Sequence, residues 1–282
     1  MSVAVSALMA AFLFGLSVHL QHAGMRYMDA QSGILVNIFT AALVVVLAAP
    51  WFFELDYLWT RATLLFVLIG LVQPALTMTL STWGIKYLGP SISSSIAATN
   101  PVFALYLAWL FLGEDVTPLI LVGTSLVVTG VVIASYRGRR VIVTWPLWCL
   151  LLPLGAAFFR ALMQPLTKIG LAEVPSPLYA LLVTAVVSCL VLGCVHLIRG
   201  NPLPSRNPGY WWFAGSGALG SAGVFFYNNA LNDGDVIVVA PIVATAPVMA
   251  VLLSQFVFRK EIISPRTWIT IILVSAGVML VL

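Results

Sequence analysis

Charge is what this sequence has least of. Of its 282 residues only 8% are Asp, Glu, Lys or Arg, against 61% hydrophobic ones, and the mean hydropathy is +1.07. A soluble domain carries roughly 25% charged residues, so these side chains cannot clothe a water-facing surface of this size. Carboxylates are scarcer still: all nine, from Asp29 to Glu261, fall at the ends of apolar stretches or between them. Without a buried acid, proton-driven export of cationic drugs is disfavoured. No H-E-x-x-H, G-x-S-x-G, C-x-x-C or P-loop sequence occurs, which removes the usual marks of metalloprotease, serine hydrolase, thiol redox and nucleotide chemistry. The chain does not read as an enzyme, and no metal or cofactor is expected. The three cysteines lie in apolar stretches and read as small buried side chains. The net charge of +4 comes from basic residues scattered between those stretches, without the basic and aromatic patch of a nucleic-acid binder. With no charged leader or cleavage signal in front of it, the first apolar stretch reads as a retained helix.

What is abundant is apolar chain. A spanning helix needs about 20 mostly apolar residues, and ten stretches qualify: about 3–24, 32–53, 62–85, 90–112, 118–136, 145–169, 176–198, 208–231, 235–258 and 265–282. A membrane β-barrel would instead show alternating segments of about ten residues. The expected fold is an all-α integral membrane protein of ten transmembrane helices.

The sequence also repeats itself. Residues 101–133 align with 247–280 across one single-residue gap. Thr99 and Pro101 precede Phe111, Glu114, Pro118 and Gly130 in the first copy. Thr245 and Pro247 precede Phe258, Glu261, Pro265 and Gly277 in the second. Generic hydrophobicity would match the Val and Leu positions but not these. The repeating unit is five helices, residues 1–136 and 145–282, joined by a basic linker at 137–144. An odd number of spans inverts the second copy relative to the first, and inverted repeats are the mark of alternating-access carriers.

Two units that each carry P-V-x-A, then F-x-x-E-x-x-[S/T]-P, then a glycine-bearing last helix resemble the drug/metabolite transporter superfamily, EamA family. The resemblance implies a basket-like bundle around a central cavity, with the fifth and tenth helices peripheral. It implies a substrate class of amino acids and related small metabolites, often exported.

Polar residues inside membrane spans are costly and usually face a cavity or the bundle interior. Candidate substrate contacts are His19 and His22 in the first stretch, Gln73, Thr77 and Ser81 in the third, and Asn100 in the fourth. Arg160 and Gln164 in the sixth and Tyr227 and Asn228 in the eighth complete the set. Hydroxyl and small residues serve equally well for tight helix packing, so that role stays open beside cavity lining. Arg160 is the sharpest feature, because an Arg at mid-membrane costs roughly 2.5–3.5 kcal/mol on insertion scales. Its guanidinium suits a substrate carboxylate or phosphate; bonding carbonyls that Pro165 releases is the alternative. His19 or His22 could carry proton coupling, with facilitated diffusion open beside it. Pro101, Pro165, Pro241 and Pro247 mark places where helices bend, and Glu114 and Glu261 resemble helix-start signals at the short turns that follow them.

Ten basic residues fall in one set of connecting segments and two, Arg61 and Lys168, in the other. The positive-inside rule then places both termini outside the cytoplasm, although members of the family are usually read with both inside. The expected setting is a plasma membrane, the inner membrane of a bacterium. The partners are a small-molecule substrate and the bilayer, with a homodimer open. A phosphorylated-metabolite or organic-anion antiporter is the competing function. A channel, scaffold or intramembrane enzyme is a more distant one.

Overall fold

In hydrocarbon no water can satisfy a backbone N–H or C=O, so a chain this apolar must fold into segments that bond internally. The computed structural model describes residues 1–88, 90–135, 146–199, 207–256 and 265–282. Among them are thirteen α-helices and no β-strand. These are α1 Val3–Gly24, α2 Ala30–Ala48, α3 Arg61–Val72, α4 Ala75–Leu88, α5 Pro90–Ala97, α6 Asn100–Leu112, α7 Pro118–Ser135, α8 Leu151–Glu173, α9 Pro177–Ile198, α10 Pro208–Asp233, α11 Val236–Val243, α12 Ala246–Phe256 and α13 Pro265–Val281. Seven stretches are long and apolar enough to cross a membrane: Val3–Gly24, Ala30–Trp51, Arg61–Leu88, Ile92–Leu112, Leu147–Glu173, Pro177–Ile198 and Val236–Ser254. By these criteria the expectation of ten spans is met in part. Pro118–Ala134 and Trp268–Val281 are apolar but shorter, and α10 is long but rich in Gly, Ser and Asn. Residues 136–145, which include the whole basic linker, and Glu261 lie outside the described residues.

The chain packs into two compact units, and neither is continuous in sequence. One holds Met1–Leu71 with Thr167–Asp233; the other holds Val72–Leu166 with Gly234–Leu282. Each therefore draws segments from both halves of the repeat.

In the first unit α10 is the central helix, packed against α1, α2 and α9. That explains its composition: small residues let backbones approach closely where lipid supplies no hydrophobic drive. Ser17 of α1 and Ser216 of α10 meet at 2.8 Å between hydroxyls, and each hydroxyl also lies within bonding distance, 3.1 Å, of the other's carbonyl. Asn37 of α2 donates to the Ser216 hydroxyl at 2.9 Å. The Phe213 ring fills a slot floored by Gly24 and Gly33, where any side chain would overlap it. Asp29 caps α2 by accepting the Ser32 N–H at 2.9 Å, and this bond holds its carboxyl below the usual range.

In the second unit α7 and α13 cross antiparallel at their glycines. A Cβ on Gly123 would lie 2.7 Å from the Gly277 carbonyl oxygen, and one on Gly277 would lie 2.6 Å from that of Gly123. Nearby, Gly130 faces Val274 and Thr270, as Gly277 faces Val127 and Gly123. The offset that carries Pro118 onto Pro265 also carries Gly123 onto Thr270, Val127 onto Val274 and Gly130 onto Gly277. The two sets of contacts are thus copies of one another with roles exchanged.

Replacing Gly277 with Val should overpack this crossing and cost about 1–3 kcal/mol, read as a lowered Tm in detergent. Gly193→Ala, in the interior of α9 where nothing lies within 4 Å of the added methyl, should not lower Tm and should raise it slightly.

Candidate functional site

The polar residues of the second unit gather where helices are interrupted. Two interruptions are the same device used twice. Thr99, between α5 and α6, donates its hydroxyl to the Ile96 carbonyl at 2.7 Å, while its N–H reaches the same oxygen at 3.0 Å. Thr245, between α11 and α12, does this to Ile242 at 2.7 and 3.1 Å. Beyond each break the helix restarts: Val102 and Phe103 donate to Thr99, and Val248 and Met249 donate to Thr245. Pro101 and Pro247, two residues on from each Thr, have no N–H, so the helical bonds to Ala97 and Val243 are lost. Ala98 and Ala244 pack into one cluster with Val127, Val131, Val248 and Val274. The prolines thus stand at true breaks. Pro165 does not break its helix: α8 runs through it, as α11 runs through Pro241.

A third interruption separates α3 from α4 at the cis Gln73–Pro74 peptide. Gln73 donates to the Arg160 carbonyl of α8 at 3.4 Å. Asn100, at the start of α6, donates to the Ala157 carbonyl at 3.0 Å and accepts from Gln164 at 3.2 Å. Side chains from the break points therefore bond one face of α8, at Ala157, Arg160 and Gln164. The amide oxygen of Gln164 is buried and, among the described residues, has no hydrogen-bond partner. The Phe103 and Phe158 rings meet edge-on, with centroids 5.7 Å apart, beside this cluster.

Arg160 is the tenth of the 23 residues of α8. At 1.5 Å per residue this is about 14 Å from the helix start, near the middle of a hydrocarbon layer about 30 Å thick. Its side chain is exposed. Among the described residues its guanidinium has neither a carboxylate nor a hydrogen-bonding partner. Lys168, two turns further on, does have a partner.

Of the expected site residues, Gln73, Asn100, Arg160 and Gln164 come together. Thr77 is buried and bonds back to the Pro74 carbonyl at 3.3 Å, and Ser81 is half-buried on the same helix. The others belong to the first unit. His19 is half-buried and has a partner, His22 is exposed, and Tyr227 is half-buried. Asn228 is buried and donates to the Pro177 carbonyl at 3.3 Å, while its neighbour Asn229 donates to the Ser6 hydroxyl at 3.1 Å.

Glu114 does more than its sequence reading asked of it. Thr117 caps α7 at the turn that follows. The buried Glu114 carboxylate accepts the N–H groups of Val236 and Ile237 at the start of α11, both at 3.0 Å. The N-cap of α11, Asp235, makes no side-chain capping bond, so the cap comes from a distant part of the chain. Glu173 does the same for α3, accepting the Arg61 N–H at 3.0 Å. Sequence reasoning missed both, because a cap supplied from afar leaves no local pattern.

The sequence model of the EamA-like transporter family matches this chain twice, over residues 1–136 and 147–282. A Sinorhizobium sp. protein described as an uncharacterized transporter in the cobO 3′ region is 30% identical over 139 residues, which are 49% of this chain and 95% of that protein. A solved crystal structure superposes on 99% of this chain and 95% of its own length, with a TM-score of 0.83 at 15% identity, a likeness of fold alone.

Glu114→Leu should release the start of α11. Hydrogen bonds to a charged group are worth about 1.5–3 kcal/mol each, so amide exchange at Val236 and Ile237 should quicken well beyond the change in global stability. Glu114→Gln, which keeps one acceptor, should restore part of the protection.

Proposed function

Because the chain belongs to the EamA-like transporter family, with several apolar helices able to cross a bilayer, we propose that it is an alternating-access exporter of small carboxylate-bearing metabolites, amino acids among them. Arg160 carries this reading. A guanidinium at mid-span, exposed and without an acid among the described residues, is positioned to take a planar carboxylate in a bidentate grip. Gln73, Asn100 and Gln164 hold the backbone and side chains around it in one hydrogen-bonded set. A single available positive charge suits a carboxylate better than a phosphate dianion.

Alternating access needs two related halves and places where helices can bend. The reciprocal, antiparallel contacts of α7 and α13 support an inverted five-helix repeat, and so support ten spans. The matched breaks at Thr99–Pro101 and Thr245–Pro247 support paired hinges, at which the half-helices reorient while each Thr hydroxyl holds a carbonyl beside the break, that of Ile96 or Ile242. In this reading the protein resides in a plasma membrane, and His19, His22, Tyr227 and Asn228 of the first unit are separate candidates for substrate contact.

Transport is tested in proteoliposomes loaded with radiolabelled amino acids, organic acids or sugar phosphates. Arg160→Gln should cut carboxylate flux by at least about tenfold, the loss of roughly 1.4 kcal/mol or more of binding. Equal flux by wild type and variant would remove Arg160 from the substrate path, and flux of sugar phosphates alone would favour the antiporter reading.

The excess of basic residues in alternate connections supports termini outside the cytoplasm. A C-terminal alkaline phosphatase fusion should be active and a fluorescent-protein fusion dark; the opposite pair of results places the C-terminus inside.

A further inference from the structure

The connection from α2 to α3, residues 49–60, is too ordered and too apolar on its outer side to be an aqueous loop. It forms two short 3₁₀ turns, Ala49–Trp51 and Leu55–Trp59. Its inner side is fixed. Ala49, Phe52 and Phe53 pack on the Val45, Leu181 and Leu182 cluster. The Tyr57 ring lies 5.1 Å from that of Tyr179, a fully buried residue of α9 that also packs against Phe53 and Phe66. Thr63 bridges the platform, donating to the Tyr57 carbonyl at 2.6 Å and meeting the Tyr179 hydroxyl at 2.7 Å.

The outer side presents Trp51 at 84% exposure and Trp59 at 92%, with Leu55 and Leu58 between them. A rigid backbone that holds two indoles outward cannot collapse to hide them from water. Both neighbouring helices lead apolar surface into this ledge. On α2 the exposed residues Phe39, Leu43 and Leu47 recur every fourth position, and Trp51 is the next step. On α3 the exposed Leu64, Leu68 and Leu71 continue from the other end. The lipid-facing surface of two spans is therefore continuous across the connection.

We propose that this ledge is a lipid-binding surface. It lies in the headgroup layer of the bilayer, anchored by Trp51 and Trp59, where the amphipathic indole is most at home. The exposed carboxylates of Glu54 and Asp56 beside the indoles would be repelled by an anionic surface, so the fitting partner is a zwitterionic lipid. The proposal is independent of what the protein transports.

The test uses the full chain in vesicles of phosphatidylcholine brominated either near the headgroup or deep in the acyl chain. With nine tryptophans present, the signal of each anchor is the difference between wild type and Trp59→Phe or Trp51→Phe. Most of each difference signal should be lost with the shallow bromines, less with the deep ones, and little with aqueous acrylamide. Partial replacement of the brominated lipid by phosphatidylglycerol should weaken the shallow quenching more than the same replacement by unbrominated phosphatidylcholine. Acrylamide quenching as complete as for free tryptophan would overturn the proposal. So would disulfide-linked dimers through Trp59→Cys, which would make a second copy the occupant. If the Phe variants do not fold, Trp59→Cys carrying an environment-sensitive dye gives the same reading from its emission shift on reconstitution.

Discussion

Everything distinctive in this protein follows from the cost of an unbonded backbone group in hydrocarbon. Continuous helices meet that demand without help, but this chain interrupts its helices repeatedly, and several interruptions and helix starts are met by a named side chain. Thr99 and Thr245 bond carbonyls beside the breaks that precede Pro101 and Pro247. Glu114 takes two N–H groups at the start of α11, and Glu173 takes one at the start of α3. Asn100 and Gln73 supply donors to carbonyls of α8. The polar residues that look like candidates for transport chemistry are largely the ones that make broken helices tolerable. Arg160 stands apart, since no such debt explains it.

That distinction separates what could be read in the sequence from what could not. Helix placement was legible because apolar length between polar connections is a local property. The Thr-x-Pro breaks were legible as paired prolines, and the repeat offset that aligned them reappears as reciprocal contacts between α7 and α13. Arg160 was legible because charge inside an apolar run has no benign local explanation. The partners of Glu114, Ser216 and Tyr179 were not, since each lies far away in the chain and ordinary side chains carry no address. The small residues of α10 have a physical reason: a helix packed against several others is selected for small side chains rather than for apolar ones.

The discontinuous composition of the two packing units has a bearing on mechanism. The boundaries at residues 71–72 and 166–167 fall inside or beside helices rather than in loops. At the first, the chain turns through Gln73–Pro74; at the second, α8 passes Pro165. Two of the three crossings thus lie beside a proline, Pro74 at the break between α3 and α4 and Pro165 inside α8; the third, at 233–234, follows the end of α10.

The reciprocal crossing of α7 and α13 has a consequence for the history of the fold. Contacts that recur with their roles exchanged are what a two-fold pair of identical chains makes, where every substitution is felt twice. Joining the copies in one polypeptide lifts that restriction, because each side can then change alone. At this crossing the two copies differ: Gly123 lies with its bare backbone against Gly277, while the corresponding position in the second copy is Thr270, buried against Gly130. Among the described residues its hydroxyl has no hydrogen-bond partner. A self-complementary chain would have met that change on both faces at once.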